Sequence, residues 1–291
     1  MAIAIVQALV GAFFLGLVYA LIASGLSLIW GTMDIINFAY GEFLMLSMYT
    51  SFWLYQSYGV DPMNSLPFVA VLFYGGGVMV YRLVVKRILG APPLVQIFAT
   101  FGLSIALQNL ALFLWAPAYR LMGKTVLTGQ VGLGPIVLDR PQLVAALGAI
   151  LTLSFLHWLL NFTQIGNALR ATAEDREAAE LMGVDTNRAF SIAWGLSGAA
   201  SGIAGVFLST YFPVFPWVGT VFLVTAFATV ALGGLGSVFG VVAAGLTIAV
   251  IEGASGLFWV PAYKHAVVFV LFIVLLVIRP EGLFGGVRNR A

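Results

Sequence analysis

The chain has 291 residues, of which 62% are hydrophobic and 8% charged, and its mean hydropathy is +1.06. A soluble domain carries about 25% charged residues, so this chain lacks the polar surface to dissolve in water and reads as a polytopic membrane protein. The net charge of +2 lies in no basic or acidic block, which argues against a nucleic-acid partner, and the lack of cysteine excludes disulfides and thiolate chemistry.

A membrane-spanning helix needs about 20 apolar residues, so the chain has room for about 8–9 spans. A membrane β-barrel would show short alternating segments. Here the apolar runs are continuous, at 4–29, 37–57, 65–83, 95–115, 141–160, 189–210, 217–233, 240–259 and 263–279. The expected fold is an all-α bundle, a single transmembrane domain over 1–291. The N-terminus has no basic n-region, so the first run is expected to be a retained span rather than a cleaved signal.

The first seam, LIWGTMDIINFAYGE (28–42), joins the first two runs and carries two of the 11 acidic residues. Gly31 and the Asp34/Asn37 pair are expected to break the helix near 30–37. Within lipid, irregular backbone is tolerated only inside protein or along a water-filled path. Asp34 or Asn37 suits an N-cap of the second span, with Glu42 just inside it. An aspartate near the centre of a membrane helix costs about 2.5–3.5 kcal/mol. Two readings stay open: Asp34, Asn37 and Glu42 line a translocation path or its gate, or they cap helices and hold the seam.

The longest polar stretch is 161–189. Within it, Ala173 to Met182 reads as a short helix with Thr172 as N-cap, Asp175 three residues on, and Gly183 ending it. Ala178, Ala179, Leu181 and Met182 form its apolar face. It is either a solvated connector or a helix that docks into a partner's groove.

Further along, Gly195, Gly198, Gly202 and Gly205 recur at helical spacing and suit close helix packing. A second glycine-rich break, LGGLGSVFG (232–240), is similar in character to the first seam. Glu252 sits inside the eighth run, where pairing with a polar neighbour or a place on the path are the alternatives. His157 and His265 lack companions at ligand spacing, so no metal is expected. No nucleophile–base arrangement is present and catalysis is not expected. There is no GxxxxGK[ST] phosphate loop, so any energy source lies in another polypeptide.

Orientation follows from Lys and Arg near span ends. Arg82, Lys86 and Arg87, then Arg170, Arg176 and Arg188, then Arg279, Arg288 and Arg290 fall on one side if nine spans alternate. That side is expected to be cytoplasmic, with the N-terminus outside and the C-terminus inside. The Asn161-Phe162-Thr163 sequon then lies inside and is not glycosylated. Arg120, Lys124 and Arg140 remain outside, in a loop (116–140) long enough for a turn or hairpin.

Four motifs in order carry a resemblance. Glu177-Ala178-Ala179-x-x-x-Gly183 resembles the EAA motif of ABC importer permeases. Ile192 is near the family's position, while Gly195 and Leu196 stand where that pattern has Leu-Pro. GLSLIWG (25–31) with DIINFAYGEF (34–43), ATAEDREAAELMG (171–183), LGGLGSVFG and RPEGLFG (279–285) together resemble the LivH-type permeases of branched-chain amino acid importers. The resemblance runs from about residue 5 to 286. It implies a multi-pass bacterial inner-membrane permease with a coupling helix carrying Glu177, Ala178, Ala179 and Gly183. The implied partners are a LivM-type permease, two cytoplasmic ATPases that bind ATP, and a periplasmic binding protein. A related importer for urea or short amides fits the same motifs. A stand-alone ion-coupled secondary transporter would instead use Asp34, Glu42 and Glu252.

Overall fold

A computed structural model describes residues 2–134, 136–258 and 264–278. The RPEGLFG segment and Arg279, Arg288 and Arg290 lie outside them. The elements run α1 (Ala2–Met33), α2 (Tyr40–Tyr58) and α3 (Pro62–Val80), which a π-helical turn (Tyr81–Val85) and α4 (Lys86–Ile88) prolong. Then come α5 (Pro93–Trp115), β1 (Gln130–Leu133), β2 (Ile136–Asp139) and α6 (Arg140–Phe162). Two short helices follow, α7 (Gln164–Glu174) and α8 (Arg176–Leu181). The rest is α9 (Thr186–Ser209), α10 (Val218–Gly233), α11 (Val238–Phe258) and α12 (Lys264–Ile278).

The molecule is a polytopic helix bundle, and each of the nine apolar runs is overlain by a helix. Among the described residues, six of these helices are long and apolar enough to cross a membrane by length and composition alone. The only sheet there is the antiparallel pair β1–β2, with Leu133 opposite Ile136. It supplies the hairpin for which the loop at 116–140 had room.

Side-chain ties sort the connections into two ends. The Gln7 amide donates to the Val137 carbonyl and accepts from Val137 N, which holds the hairpin beside the start of α1. Tyr55 donates to Lys124 O, Asp61 accepts from Val126 N, and Arg120 bridges Val214. One end therefore gathers the start of α1, the 59–61 turn, the hairpin and the 210–217 turn. The opposite end gathers the end of α1, α4, α7, α8 and the 234–237 turn.

The core is organised around α9, 78% of whose apolar window is buried, against 11% for α5. In lipid the hydrophobic effect does not draw helices together, so close packing of small residues does much of that work. A Cβ on Gly198 would lie 2.3 Å from the Phe73 carbonyl oxygen, and one on Gly77 would lie 2.1 Å from that of Trp194. Gly195 and Gly202 also meet α3, at Tyr74 and Phe73, while Gly205 meets α2 at Ser47 and Leu44. Helices α1 and α11 also pack closely, with Gly16 against Leu246 and Gly245 against Gly16 and Ala20.

Gly198→Val forces α3 away from α9. It is expected to destabilise the bundle by about 1–3 kcal/mol, as overpacking does, read as a lowered midpoint in detergent thermal unfolding. An unchanged midpoint would show that the α3–α9 contact is not close-packed.

Candidate functional site

Helix α1 does not break at Gly31, as the sequence suggested, but runs on to Met33. Glycine at 31 serves a different need: a Cβ there would lie 3.0 Å from Gly236 Cα in the second glycine-rich break. Ser27 Oγ accepts from Gly236 N at 3.0 Å, and Gly234 and Gly236 take positive φ of 82° and 76°. The two seams thus meet.

The break comes at Asp34, whose φ is +58° and whose amide donates to Trp30 O at 3.0 Å. Aspartate is among the few non-glycine residues that visit this region readily. Asp34 is exposed and sits at the end of α1 rather than capping α2. Asn37 is not the cap either. It is buried and accepts from Ala39 N at 3.0 Å, while Ala39 is the N-cap of α2 and makes no side-chain cap. The pair shapes the turn between the helices instead of starting the second one.

That turn is re-entrant. Tyr40 donates to the carbonyl of Ile22 at 2.6 Å, about three turns before Met33. The chain leaves α1 at its end and climbs back along the bundle before α2 begins. The Ile36 carbonyl accepts from Thr100 on α5 at 3.1 Å. Phe227 of α10 packs on both Trp30 and Phe38, and Phe38 also meets Phe101 of α5. Gly41 and Gly219 bring the starts of α2 and α10 into backbone contact.

Glu42 lies one step further, in the first turn of α2, and is 1% exposed. Ser104 of α5 donates to Oε1 at 3.0 Å, and Oε2 has no partner among the described residues. Residues Gln96, Thr100, Ser104 and Gln108 form a stripe on α5 at a spacing of four. They reach Leu89 and Ala91, Ile36, Glu42 and Thr220 respectively. The sequence reading missed this stripe, although polar residues at i, i+4, i+8 and i+12 in an apolar helix were legible as one face.

Glu252 belongs elsewhere. It is buried in α11 and accepts from Tyr19 of α1 at 2.8 Å. The structure places the two membrane glutamates with different partners. No group of three or more His, Cys, Asp or Glu able to hold a metal occurs among the described residues. His157 pairs with Asn161 at 2.9 Å.

The polar segment 161–189 contains two helices where one was expected. Thr163 caps α7, and Thr172 is buried inside it, donating to Ala168 O instead of capping anything. The residue that starts the second helix is Asp175, which accepts from Ala178 N at 3.0 Å. Gly183, at φ +85°, ends α8, with Val184 N donating to Ala179 O at 2.9 Å, a left-handed closure. Glu177 and Ala178 are exposed and Ala179 is buried. Leu181 and Met182 are 89% and 85% exposed.

Helix α8 is pinned to α9 through Glu180, which accepts from the Thr186 hydroxyl and from Arg176, the latter at 3.1 Å. The Thr186 hydroxyl, then Arg176, holds the Glu180 carboxyl below its ordinary 4.5. Arg176 also lies over the Phe190 ring, at 5.7 Å.

The site thus combines a buried carboxylate beside a re-entrant seam, a polar stripe on a thinly packed helix, and an exposed apolar tip between two long helices. The family described as "Branched-chain amino acid transport system / permease component" matches residues 8–276. The chain belongs to this family. LivH of Salmonella typhimurium, a high-affinity branched-chain amino acid transport system permease protein, is 30% identical over 93% of this chain and 92% of its own. BraD of Pseudomonas aeruginosa, of the same description, is 28% identical over 96% and 95%. A shorter likeness, 27% over 62% of this chain and 54% of its own, joins the permease to the autoinducer 2 import protein LsrC of Escherichia coli. No solved structure matches.

Ser104→Ala leaves both oxygens of Glu42 without a partner. It is expected to cost about 1–3 kcal/mol, whereas removing both polar groups in Glu42→Leu/Ser104→Ala is expected to recover most of it. Detergent thermal unfolding of both variants checks this, and equal midpoints for wild type and Ser104→Ala would sink it.

Because the folded pKa of Glu180 is depressed, its contribution is present above about 4.5 and is lost as pH falls through the folded value. Hydrogen exchange of amides 176–189 is expected to quicken as pH falls below that range, after correction for intrinsic rates. Glu180→Gln should flatten the response. An equal pH response in both proteins would remove Glu180 as its cause.

Proposed function

We propose that this chain is the permease subunit of an ABC importer for the branched-chain amino acids leucine, isoleucine and valine. A periplasmic binding protein delivers the solute, and ATP hydrolysis in two separate subunits drives its passage. The chain spans the inner membrane, with its N-terminus outside and its C-terminus in the cytoplasm, beside a LivM-type permease. The whole chain, 1–291, acts as one transmembrane domain.

The observation that carries this reading is the exposed tip of α8. Leu181 and Met182 project from a helix fixed between two spans and locked by Asp175, Glu180 and Gly183. A connector has no need of a rigid helix with its largest apolar side chains in water. A groove on an ATPase would cover them, and the rigid link to α9 would pass motion into the bundle. Glu177, Ala178 and Ala179 lie on this helix.

Movement of α9 reaches the seam through α2 and α3. There Asn37, Glu42 and the α5 stripe line the path or its gate, with Asp34 at the end of α1. Glycines 195, 198, 202 and 205 let α9 lie against α3 and α2 closely enough for such transmission. Glu252, bonded to Tyr19, supports the α1–α11 contact. The likeness to an autoinducer 2 permease favours a second reading in which a related small polar solute is carried by the same machine.

The complex is purified from its native membrane, its subunits are identified, and it is reconstituted for ATP-driven leucine uptake. Two ATPases and a second permease are expected. Gly183→Val loses the left-handed closure of α8. It is expected to insert normally, to lower uptake at least tenfold, and to leave ATP hydrolysis largely intact. Normal uptake in this variant removes the coupling role from α8. ATP-independent uptake by the lone chain removes the importer reading itself.

A further inference from the structure

A cavity of about 900 Å³ opens between α3, the π-helical turn, α7 and the start of α9, at the end of the bundle that carries α8. Arg82, Lys86 and Arg188 line it. Among the described residues the one ion pair is Arg176–Glu180, so none of these three cations is neutralised by a carboxylate. Asp185 is the single acidic group in the wall, and it is occupied in capping α9, accepting from Arg188 N at 2.9 Å. The Tyr81 hydroxyl donates to Asn187 Oδ1 at 3.2 Å, leaving the Asn187 amide nitrogen as a further donor to the cavity.

The rest of the wall is of another kind. Tyr74, Val78, Ile165 and Ile192 make it apolar. Along α3 the cavity reaches from Lys86 back to Tyr74, a rise of about 18 Å in helical geometry. The surface of α3 and the π-helical turn also carries open apolar side chains: Met79 is 60% exposed and Leu83 46%. Within and just after the π-helical turn, Tyr81 and Val85 are buried while Arg82 and Lys86 are exposed.

We propose that this cavity is a binding site for an anionic phospholipid. Arg82, Lys86 and Arg188 hold the phosphate, and an acyl chain lies along Tyr74, Val78 and Ile192. A phosphate group attracts the cations whether it is free or carried by a lipid. A free phosphate fills only a small part of this volume and satisfies none of the apolar wall. An amphiphile matches both halves. Basic pockets between membrane helices recognise anionic head groups in this way. The lipid would brace α3 against α9 beside α8, and the proposal does not depend on which solute is carried.

The full complex in mild detergent is titrated with dioleoylphosphatidylglycerol, dioleoylphosphatidylcholine and inorganic phosphate, and retained lipid is counted by native mass spectrometry. Phosphatidylglycerol is expected to be retained at least fivefold over phosphatidylcholine. Each of Arg82→Gln, Lys86→Gln and Arg188→Gln is expected to weaken retention about fivefold, while Arg82→Lys keeps most of it. Retention in the wild type should fall as salt rises, a readout that needs no variant. Equal retention of the two lipids, retention indifferent to the substitutions or to salt, or complete displacement by millimolar phosphate would each overturn the proposal. So would loss of ATPase subunits, with lipid retention unchanged, in the glutamine variants, because a protein would then be the occupant.

Discussion

Backbone polar groups that leave a helix inside an apolar slab must find partners within the protein. The largely buried segment that follows Asp34, up to Ala39, is held in the way that constraint requires. The Asp34 amide is taken by Trp30, the Ile36 carbonyl by Thr100 and the Ala39 amide by Asn37. Tyr40 then anchors the start of α2 to α1. Two helices besides the two being joined contribute, α5 with Thr100 and Phe101 and α10 with Phe227 and Gly219, while the turn before α11 meets the end of α1 through Gly236. A surface loop would have water for these bonds and would need none of them.

The same arrangement makes Glu42 affordable. Its carboxylate sits where the re-entrant turn keeps α2 from starting flush with the end of α1, and where α5 presents a serine rather than a leucine. α5 is otherwise the least buried of the long apolar helices. A thinly packed helix with a polar stripe facing a buried carboxylate is suited to move, or to meet a second subunit. A largely buried one, such as α9, is suited to transmit.

At the opposite extreme of packing, α9 and α3 touch backbone to backbone through glycines. Contacts of this kind resist stretching, because a gap of about 0.5–1 Å already forfeits a quarter to a half of the dispersion energy. Such a pair is suited to move as a unit. The proposed coupling segment is attached directly to that unit through Glu180, Thr186 and the Asp185 cap, and the proposed lipid cavity lies on its flank. The short path from α8 to the seam is a consequence of where glycine occurs in α9.

Much of this was legible in the chain itself. Nine apolar runs each foretold one of the apolar helices, because each run is about as long as a helix needs to be in lipid and none alternates as a barrel strand would; the short helices α4, α7 and α8 lie outside those runs. Gly183 read correctly as a helix end, because only a residue without a Cβ takes positive φ there at no cost. Local signals misled where tertiary contact outweighed them. Gly31 reads as a breaker by propensity, yet the helix continues through it, and the glycine is needed because a Cβ there would lie 3.0 Å from the backbone of Gly236. Thr172 reads as a cap, yet it is buried in α7, and Asp175 three residues later does the capping. Asp34 and Asn37 were singled out, but their division of labour, one ending α1 and the other turning the chain, depends on where α5 and α10 stand. Composition and periodicity act along the chain, and so they determine that helices form and which are apolar. Which helices approach, which carboxylate meets which hydroxyl, and which cations are left to face a cavity are decided only when distant segments are brought together, since the energies involved belong to pairs of residues far apart in sequence.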